Sequence, residues 1–182
     1  MDEAGRGPLA GPVVVGAVIL DTRARTLGDL DGLDDSKALS PARRERLLNS
    51  LQTHAKIAIC VVEPAEIDRL NILQASLIGM ARAAGELGAD YALIDGNRLP
   101  PTLPCAGEAI VRGDSRALAI AAASVVAKVS RDRLMVEADG RFPGYGFAQH
   151  KGYPTRAHLA ALDRLGPCPI HRRSFAPVRN RL

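Results

Sequence analysis

Apolar residues in this chain come in short blocks that switch between strand-like and helix-like spacing. Val13–Leu20 (VVVGAVIL) is continuous, β-branched and bounded by Pro12 and Asp21, which predicts a buried strand. Residues 21–37 are polar, with Gly28, Gly32 and Asp34-Asp35, and are expected to form a loop. Ser40-Pro41 supplies an N-cap and a first-turn proline for a helix reaching about Thr53. Lys56–Glu63 is β-rich, Pro64 opens a short helix, and Asn71 can cap another from Ile72 to Leu87, ended by Gly88. Tyr91–Ile94 reads as a strand that stops abruptly at Asp95-Gly96. Pro100, Pro101 and Pro104 keep the next stretch out of a central strand, and Glu108–Arg112 reads as one more. Ser115–Glu137 is Ala-rich and helical, with a stop expected at Gly140. Gly144–Gly152 reads as loop, and Thr155–Leu165 as an amphipathic helix closed by Gly166-Pro167. Strands alternating with helices, without repeats or low-complexity linkers, predict a single α/β domain over residues 1–182.

Composition narrows the function classes. No apolar stretch nears the roughly 20 residues of a membrane helix. Val13–Leu20 is short and has no basic region before it, so no secretory signal is expected either. Cys60, Cys105 and Cys168 form no C-x-x-C pair, which points away from a zinc site or a disulfide framework and towards a reducing, cytoplasmic setting. A formal net charge of +4 and a pI near 9.2 are compatible with a polyanionic partner. The stretch from His171 to Leu182 carries Arg172, Arg173, Arg179 and Arg181 and no acid; it reads either as a solvated tail or as a nucleic-acid contact. Four of the six aromatics lie between Phe142 and Tyr153, which suggests one local contact site rather than a broad stacking platform.

The candidate chemistry starts at the first residues. Asp2-Glu3 stands before Gly5-Arg6-Gly7, Pro8 and the apolar run. Carboxylates are hard oxygen ligands for Mg²⁺ or Mn²⁺. A glycine-flanked arginine offers backbone N–H groups and a guanidinium to a phosphate. A dinucleotide-binding loop fits poorly, because Gly11 falls one position late for G-x-G-x-x-G and prolines interrupt. Asp95 ends a strand and Asp114 precedes the Ala-rich helix, where α/β folds gather their sites. Singly, these acids also read as a turn residue, an N-cap and a terminus; together with Asp2 and Glu3 they meet the needs of a two-metal site. On the Ala-rich helix, Ser124 and Lys128 are four apart and share a face, either solvated or aimed at a phosphate. Arg131-Asp132-Arg133 reads as a surface ion-pair patch.

Residues 2–13 (DEAGRGPLAGPV), Asp35-Ser36-Lys37, Ile94-Asp95-Gly96, Gly113-Asp114, Ala121–Lys128, Arg131–Arg133, His150–Tyr153 and His171–Val178 closely resemble bacterial ribonuclease HII, a type 2 ribonuclease H, in order and over nearly the whole chain. The resemblance implies an RNase H-like fold, with a mixed five-stranded sheet flanked by helices. It implies cleavage of the RNA strand of RNA–DNA hybrids and of single ribonucleotides embedded in duplex DNA. Asp2, Glu3, Asp95 and Asp114 would hold two Mg²⁺ or Mn²⁺ ions. One would help a water ionise and attack phosphorus; the other would stabilise the departing 3′-oxygen, leaving 5′-phosphate and 3′-hydroxyl ends. The Gly5-Arg6-Gly7 backbone would read the 2′-hydroxyl, the group that separates RNA from DNA. Tyr153 would pack on the following deoxyribose, and Lys37, Ser124 and Lys128 would bind phosphates. A monomer without an obligate protein partner is expected.

One departure bears on the site. Only Met1 precedes Asp2, so the first strand is expected to be truncated and Asp2 and Glu3 to be the most mobile acids. A hybrid-binding protein of weak turnover is therefore the alternative reading. The sister ribonuclease HIII fits less well, since it differs at the arginine position and carries an added N-terminal domain.

Overall fold

The computed structural model describes residues 1–21, 32–33 and 39–182. Its first three strands are β1 (Asp2–Ala4), β2 (Val13–Leu20) and β3 (Ala55–Val62), which form an antiparallel ladder in the order β1-β2-β3. Strand β4 (Tyr91–Asp95) and strand β5 (Ala106–Ile110) pair in parallel. Met1 joins the two ladders. Its backbone nitrogen donates to the Leu93 carbonyl at 2.7 Å, and Asp95 N–H donates to the Met1 carbonyl at 3.0 Å. That alternation is the pattern of a parallel pair, so Met1 lies beside Ile94 and Asp2 follows beside Asp95. The fold is mixed α/β, with five strands among the described residues.

Helices cover both faces. They are α1 (Pro41–His54), α2 (Pro64–Leu70), α3 (Ile72–Leu87), α4 (Leu118–Arg141), α5 (Phe147–His150), α6 (Arg156–Leu165) and α7 (Ala176–Arg179). Val13, Val15 and Ala17 of β2 pack on one side with Ala75, Met80, Ala83 and Ala84 of α3. Val18 packs on the other side with Leu47 and Leu51 of α1 and Ala122, Val125 and Val126 of α4. This is period-two alternation with both faces buried, which explains why β2 reads as a continuous apolar run. Gly16 lets α4 approach: a Cβ there would lie 2.4 Å from the Ala123 carbonyl oxygen. The Ala-rich stretch of α4 therefore docks directly on the strand that pairs with Asp2.

Local signals set most element ends. Ser40 Oγ accepts from Arg43 N–H, Asn71 caps α3, Gly88 ends it in the left-handed region, and Thr155 caps α6. Four expectations need correction. Strand β5 runs over Ala106–Ile110, not Glu108–Arg112. The Ala-rich helix starts at Leu118, after a 3₁₀ turn at Gly113–Ser115, and passes through Gly140 to Arg141. A glycine in a last turn costs only about 1 kcal/mol, too little to break a helix anchored by packing. The stretch 144–152 contains the helical turn α5. Of the clustered aromatics, Tyr145 and Phe147 are buried in a core with Met135 and Cys168, and only Tyr153 is exposed.

Candidate active site

Asp2 pairs with Gly16, and residues opposite each other in a ladder point to the same face. That face is the one α4 covers. Asp2 is 5 % exposed, and its Oδ1 accepts from Glu3 N–H at 2.7 Å. Asp95 sits beside it across the Met1 junction, and Asp95 Oδ1 accepts from Gly113 N–H at 2.7 Å. This bond ties the end of β4 to the turn that carries Asp114. Glu3 makes a 3.1 Å ion pair with Arg6 Nη1.

The second carboxylate oxygen of Glu3 is buried and accepts no hydrogen bond. Burial holds the Glu3 carboxyl above the usual carboxylate range; Arg6 opposes that shift and the charge of Asp95 adds to it. A buried, unpaired carboxylate oxygen near a second acid is stabilised by a cation. Among the described residues no three acids, histidines or cysteines already surround one point. Mg²⁺ needs no such cage, since one or two carboxylates hold it while water and substrate phosphate fill its other positions. The oxygen donors present therefore fit a hard divalent cation.

A cleft of about 350 Å³ opens over this acidic end, lined by Asp2, Glu3, Gly5, Arg6, Gly7, Arg44, Ser124, Lys128, Arg131 and Tyr153. A larger cleft of about 620 Å³ lies between β2 and β4, lined mainly by apolar residues and by none of the four acids. Of the candidate site residues, Asp2, Glu3, Gly5, Arg6, Gly7, Ser124, Lys128 and Tyr153 line the smaller one, and Asp95 and Asp114 do not. Ser124 is buried and donates to the Ala121 carbonyl, and Lys128 pairs with Asp132 at 2.7 Å. The Tyr153 ring lies against Gly7, where a Cβ would stand 3.6 Å from its Cε1. Of the residues expected to contact substrate, only Lys37 lies outside the described residues.

Two buried arginines shape the Gly-Arg-Gly turn. Arg172 donates to the carbonyls of Gly5 (2.6 Å), Arg6 (3.0 Å) and Gly11 (2.9 Å). Arg131 donates to Pro12 (3.0 Å) and Ala10 (3.2 Å). Burial pulls their guanidinium pKa values down to about 9 and about 10, which leaves both charged at neutral pH. Gly5 must be glycine: its φ is +97°, and a Cβ would fall 2.0 Å from Arg131 Nε. The reading of Arg131–Arg133 as surface is thus corrected for Arg131, which is 1 % exposed; Arg133 does pair at the surface with Glu45. Arg172, expected to belong to a basic tail, is fully buried. Spacing could have revealed Arg131, since positions 124, 128 and 131 follow a helical i, i+4, i+7 stripe. No periodic signal marks Arg172.

The family model described as Ribonuclease HII matches residues 1–178. The chain belongs to the ribonuclease HII family. Like the family it is an endoribonuclease, a hydrolase, which sets aside the dinucleotide reading. A curated ribonuclease HII from Maricaulis maris is 58 % identical over 182 residues, covering 98 % of this chain and 81 % of the relative. Ribonuclease H2 from Pyrococcus horikoshii has a similar structure, with a TM-score of 0.82 at 27 % identity over 98 % of this chain and 93 % of that one. A Bst ribonuclease HIII, solved in complex with Mn²⁺, shares the fold at a TM-score of 0.74 and 18 % identity over 98 % of this chain and 66 % of that one. Among the described residues of this ribonuclease HII family member, no helix is long and apolar enough to cross a membrane.

Proposed function

We propose that this chain cleaves the RNA strand of RNA–DNA hybrids, and the backbone at single ribonucleotides within duplex DNA, using Mg²⁺ or Mn²⁺ held by Asp2, Glu3, Asp95 and Asp114. The observation that carries this is the shared cleft: Asp2, Glu3, a Gly-Arg-Gly turn, a hydroxyl, an ammonium and an exposed tyrosine line one opening, with Asp95 next to Asp2 at the end of β4. When bound, a pair of such ions supplies an ionised water and a counter-charge for the departing 3′-oxygen. The protein's own groups do the rest. Backbone groups of Gly5, Arg6 and Gly7 meet the 2′-hydroxyl, in a turn whose shape is fixed from behind by Arg172 and Arg131. Lys128 and Ser124 stand where flanking phosphates would run, and Lys37 is assigned to the same role from its motif. Tyr153 offers its ring to the next sugar.

The decisive experiment incubates the chain with three duplexes: uniform RNA–DNA hybrid, DNA with one ribonucleotide, and all-DNA, each with Mg²⁺, Mn²⁺ or chelator. Cleavage of the first two to 5′-phosphate and 3′-hydroxyl ends, only with metal, is expected. Cleavage of all-DNA at a comparable rate would overturn the reading.

A further inference from the structure

Behind Tyr153 lies a run of imidazoles that no catalytic role accounts for. His158 and His171 are 0 % and 2 % exposed, and their Nε2 atoms are 3.1 Å apart. Each remaining ring nitrogen meets a backbone group that can act in one way only, and His171 Nδ1 also lies 3.1 Å from the Cys168 thiol, which can donate to it. Cys168 N–H, an obligate donor, gives its proton to His171 Nδ1 at 2.9 Å. His158 Nδ1 lies 2.9 Å from the carbonyl oxygen of Tyr153, an obligate acceptor.

The two ends fix the tautomers between them. His171 must be bare at Nδ1 and, when neutral, protonated at Nε2. It then donates to His158 Nε2, which leaves the His158 proton on Nδ1, aimed at Tyr153. The chain runs one way: Cys168 N–H to His171, His171 to His158, His158 to the Tyr153 carbonyl. It needs both rings neutral, because a second proton on His158 would set two N–H groups against each other. Burial pushes both imidazoles below their ordinary value, in keeping with that requirement.

Aromatic packing holds the rings in place. His150 stacks on His158 at 4.5 Å, and Phe147 meets His158 edge-on at 5.5 Å. His150 is itself fixed: its Nδ1 accepts from Gly152 N–H at 3.2 Å and its Nε2 lies 2.8 Å from the Tyr145 carbonyl. The far end of the chain is anchored in the segment that shapes the Gly-Arg-Gly turn. His171 bridges to Ala10, and the next residue, Arg172, holds Gly5 and Arg6.

We propose that His158 and His171 are positioning residues for Tyr153, and that their one-way hydrogen-bond chain sets how strongly the enzyme discriminates the sugar that follows the cut. The proposal rests on the reading of Tyr153 as a sugar-packing residue. It gives the histidines no contact with substrate. The chain fixes the Tyr153 backbone in register with the turn that would read the 2′-hydroxyl, so that ring and turn address neighbouring sugars as one unit.

The test uses substitutions that keep one ring nitrogen and lose the other. Asn places its amide nitrogen near the Nδ1 position and Gln near Nε2. His158→Asn should keep the bond to Tyr153, and His158→Gln should lose it. His171→Gln should keep the donor to His158, and His171→Asn should lose it. The readout is the ratio of kcat/KM on single-ribonucleotide duplex to that on uniform hybrid. It should fall roughly 10-fold in His158→Gln and His171→Asn, as small misplacements of positioned groups do. It should stay near the parent value in His171→Gln, which keeps the link to His158, and should also fall in His158→Asn, which keeps the bond to Tyr153 but breaks the link to His171. In a Tyr153→Ala background all four should leave the ratio unchanged. Nitrogen NMR of the ligand-free chain supplies a readout independent of activity, with protons expected on His158 Nδ1 and His171 Nε2. Opposite tautomers, or folded His158→Gln and His171→Asn variants with the parent ratio, would overturn the positioning role. A parent ratio in Tyr153→Ala itself would instead overturn the sugar-packing reading, and the tautomer pattern would still be measured.

Discussion

Arg172 Nη2 lies 2.6 Å from the carbonyl oxygen of Gly5, a contact between residues 167 positions apart. With its bonds to Arg6 and Gly11 it makes the last dozen residues part of the turn at the start of the chain. Among the described residues, three backbone carbonyls and no carboxylate accept its hydrogen bonds. A charged donor spread over carbonyls shapes backbone, because each bond fixes one peptide plane.

Arg172→Met should therefore leave three carbonyls without their donor. The expected cost is about 3 kcal/mol, at the scale of unsatisfied buried groups. The neighbouring Arg173→Ala, at an exposed side chain, should stay within about 0.5 kcal/mol of the parent. Urea unfolding of both variants checks the contrast. Equal, small losses would mean that the turn holds its shape without Arg172.

The four acids make a second prediction. Asp2→Asn, Glu3→Gln, Asp95→Asn and Asp114→Asn should each lower turnover more than about 100-fold, beyond what the loss of an outer partner of a metal site costs. Glu3→Gln should raise the melting temperature measured without metal, because burial already disfavours the Glu3 charge. Asp95→Asn keeps an oxygen for Gly113 N–H, so the Asp114 turn should survive it. Near-parent turnover in both Asp95→Asn and Asp114→Asn would end the shared-site reading.

These residues differ in how far the sequence exposes them. The ends of α1, α3 and α6 were legible because caps are local: Ser40, Asn71 and Thr155 each bond a backbone N–H within three residues. Strand β2 was legible from its apolar run. Asp95 and Asp114 could be nominated by position, but the Gly113 bond that links them spans 18 residues and leaves no local trace. The buried arginines read as surface residues because charge is normally a surface signal; only packing reveals that their partners are carbonyls. The start of α4 is hidden for a related reason, since Gly113–Ser115 takes a 3₁₀ turn while Asp95 holds its first N–H.

Tyr153 is 43 % exposed, with the Arg131 guanidinium 6.0 Å from its ring centroid. A ring offered to a sugar should matter most where a deoxyribose follows the cut. Tyr153→Ala should lose roughly 10-fold more activity on a single embedded ribonucleotide than on uniform hybrid, in line with the value of one stacking contact. Tyr153→Phe should keep the preference, because the ring makes the contact. Steady-state kinetics on the two duplexes decide it, and equal losses would reduce Tyr153 to packing.

The buried imidazoles carry a pH signature. Burial first, then the neighbouring His158, lowers the His171 pKa from 6.5 to about 4. Between those values the unfolded chain binds the proton and the folded chain does not. Stability is therefore fully present above about pH 6.5 and is lost as pH falls towards 4, by about 3 kcal/mol in all. Glu3, shifted upward, acts in the opposite sense over its own range. The comparison that isolates the imidazole is parent against His171→Gln, by denaturant unfolding at pH 7 and pH 5. The parent should lose stability on acidification and the variant should lose much less. Parallel losses would place the acid sensitivity elsewhere.

The final prediction concerns the edges around Met1. β1 pairs only with Val14, Val15 and Gly16, whereas β2 continues to Leu20 and is laddered there to β3 alone among the described residues. Across the gap, Tyr91–Leu93 of β4 pairs with β5 on its other side. The cleft of about 620 Å³ between these edges is lined by Met1, Ala17, Val18, Leu20, Tyr91 and Leu93. Two facing strand edges separated by an apolar slot can accept one strand of alternating β-branched residues. Placing four or five such residues ahead of Met1 should add ladder bonds on both sides without disturbing Asp2, already 5 % exposed and paired with Gly16. The melting temperature should rise by several degrees, as about 1–2 kcal/mol would give at this size. Mg²⁺-dependent cleavage should rise with it if Asp2 and Glu3 are held more firmly, since ligands already ordered cost less to organise on binding. Thermal melts and cleavage assays on the 182-residue and extended chains decide it. Unchanged values in both would show that Met1 alone anchors the acids.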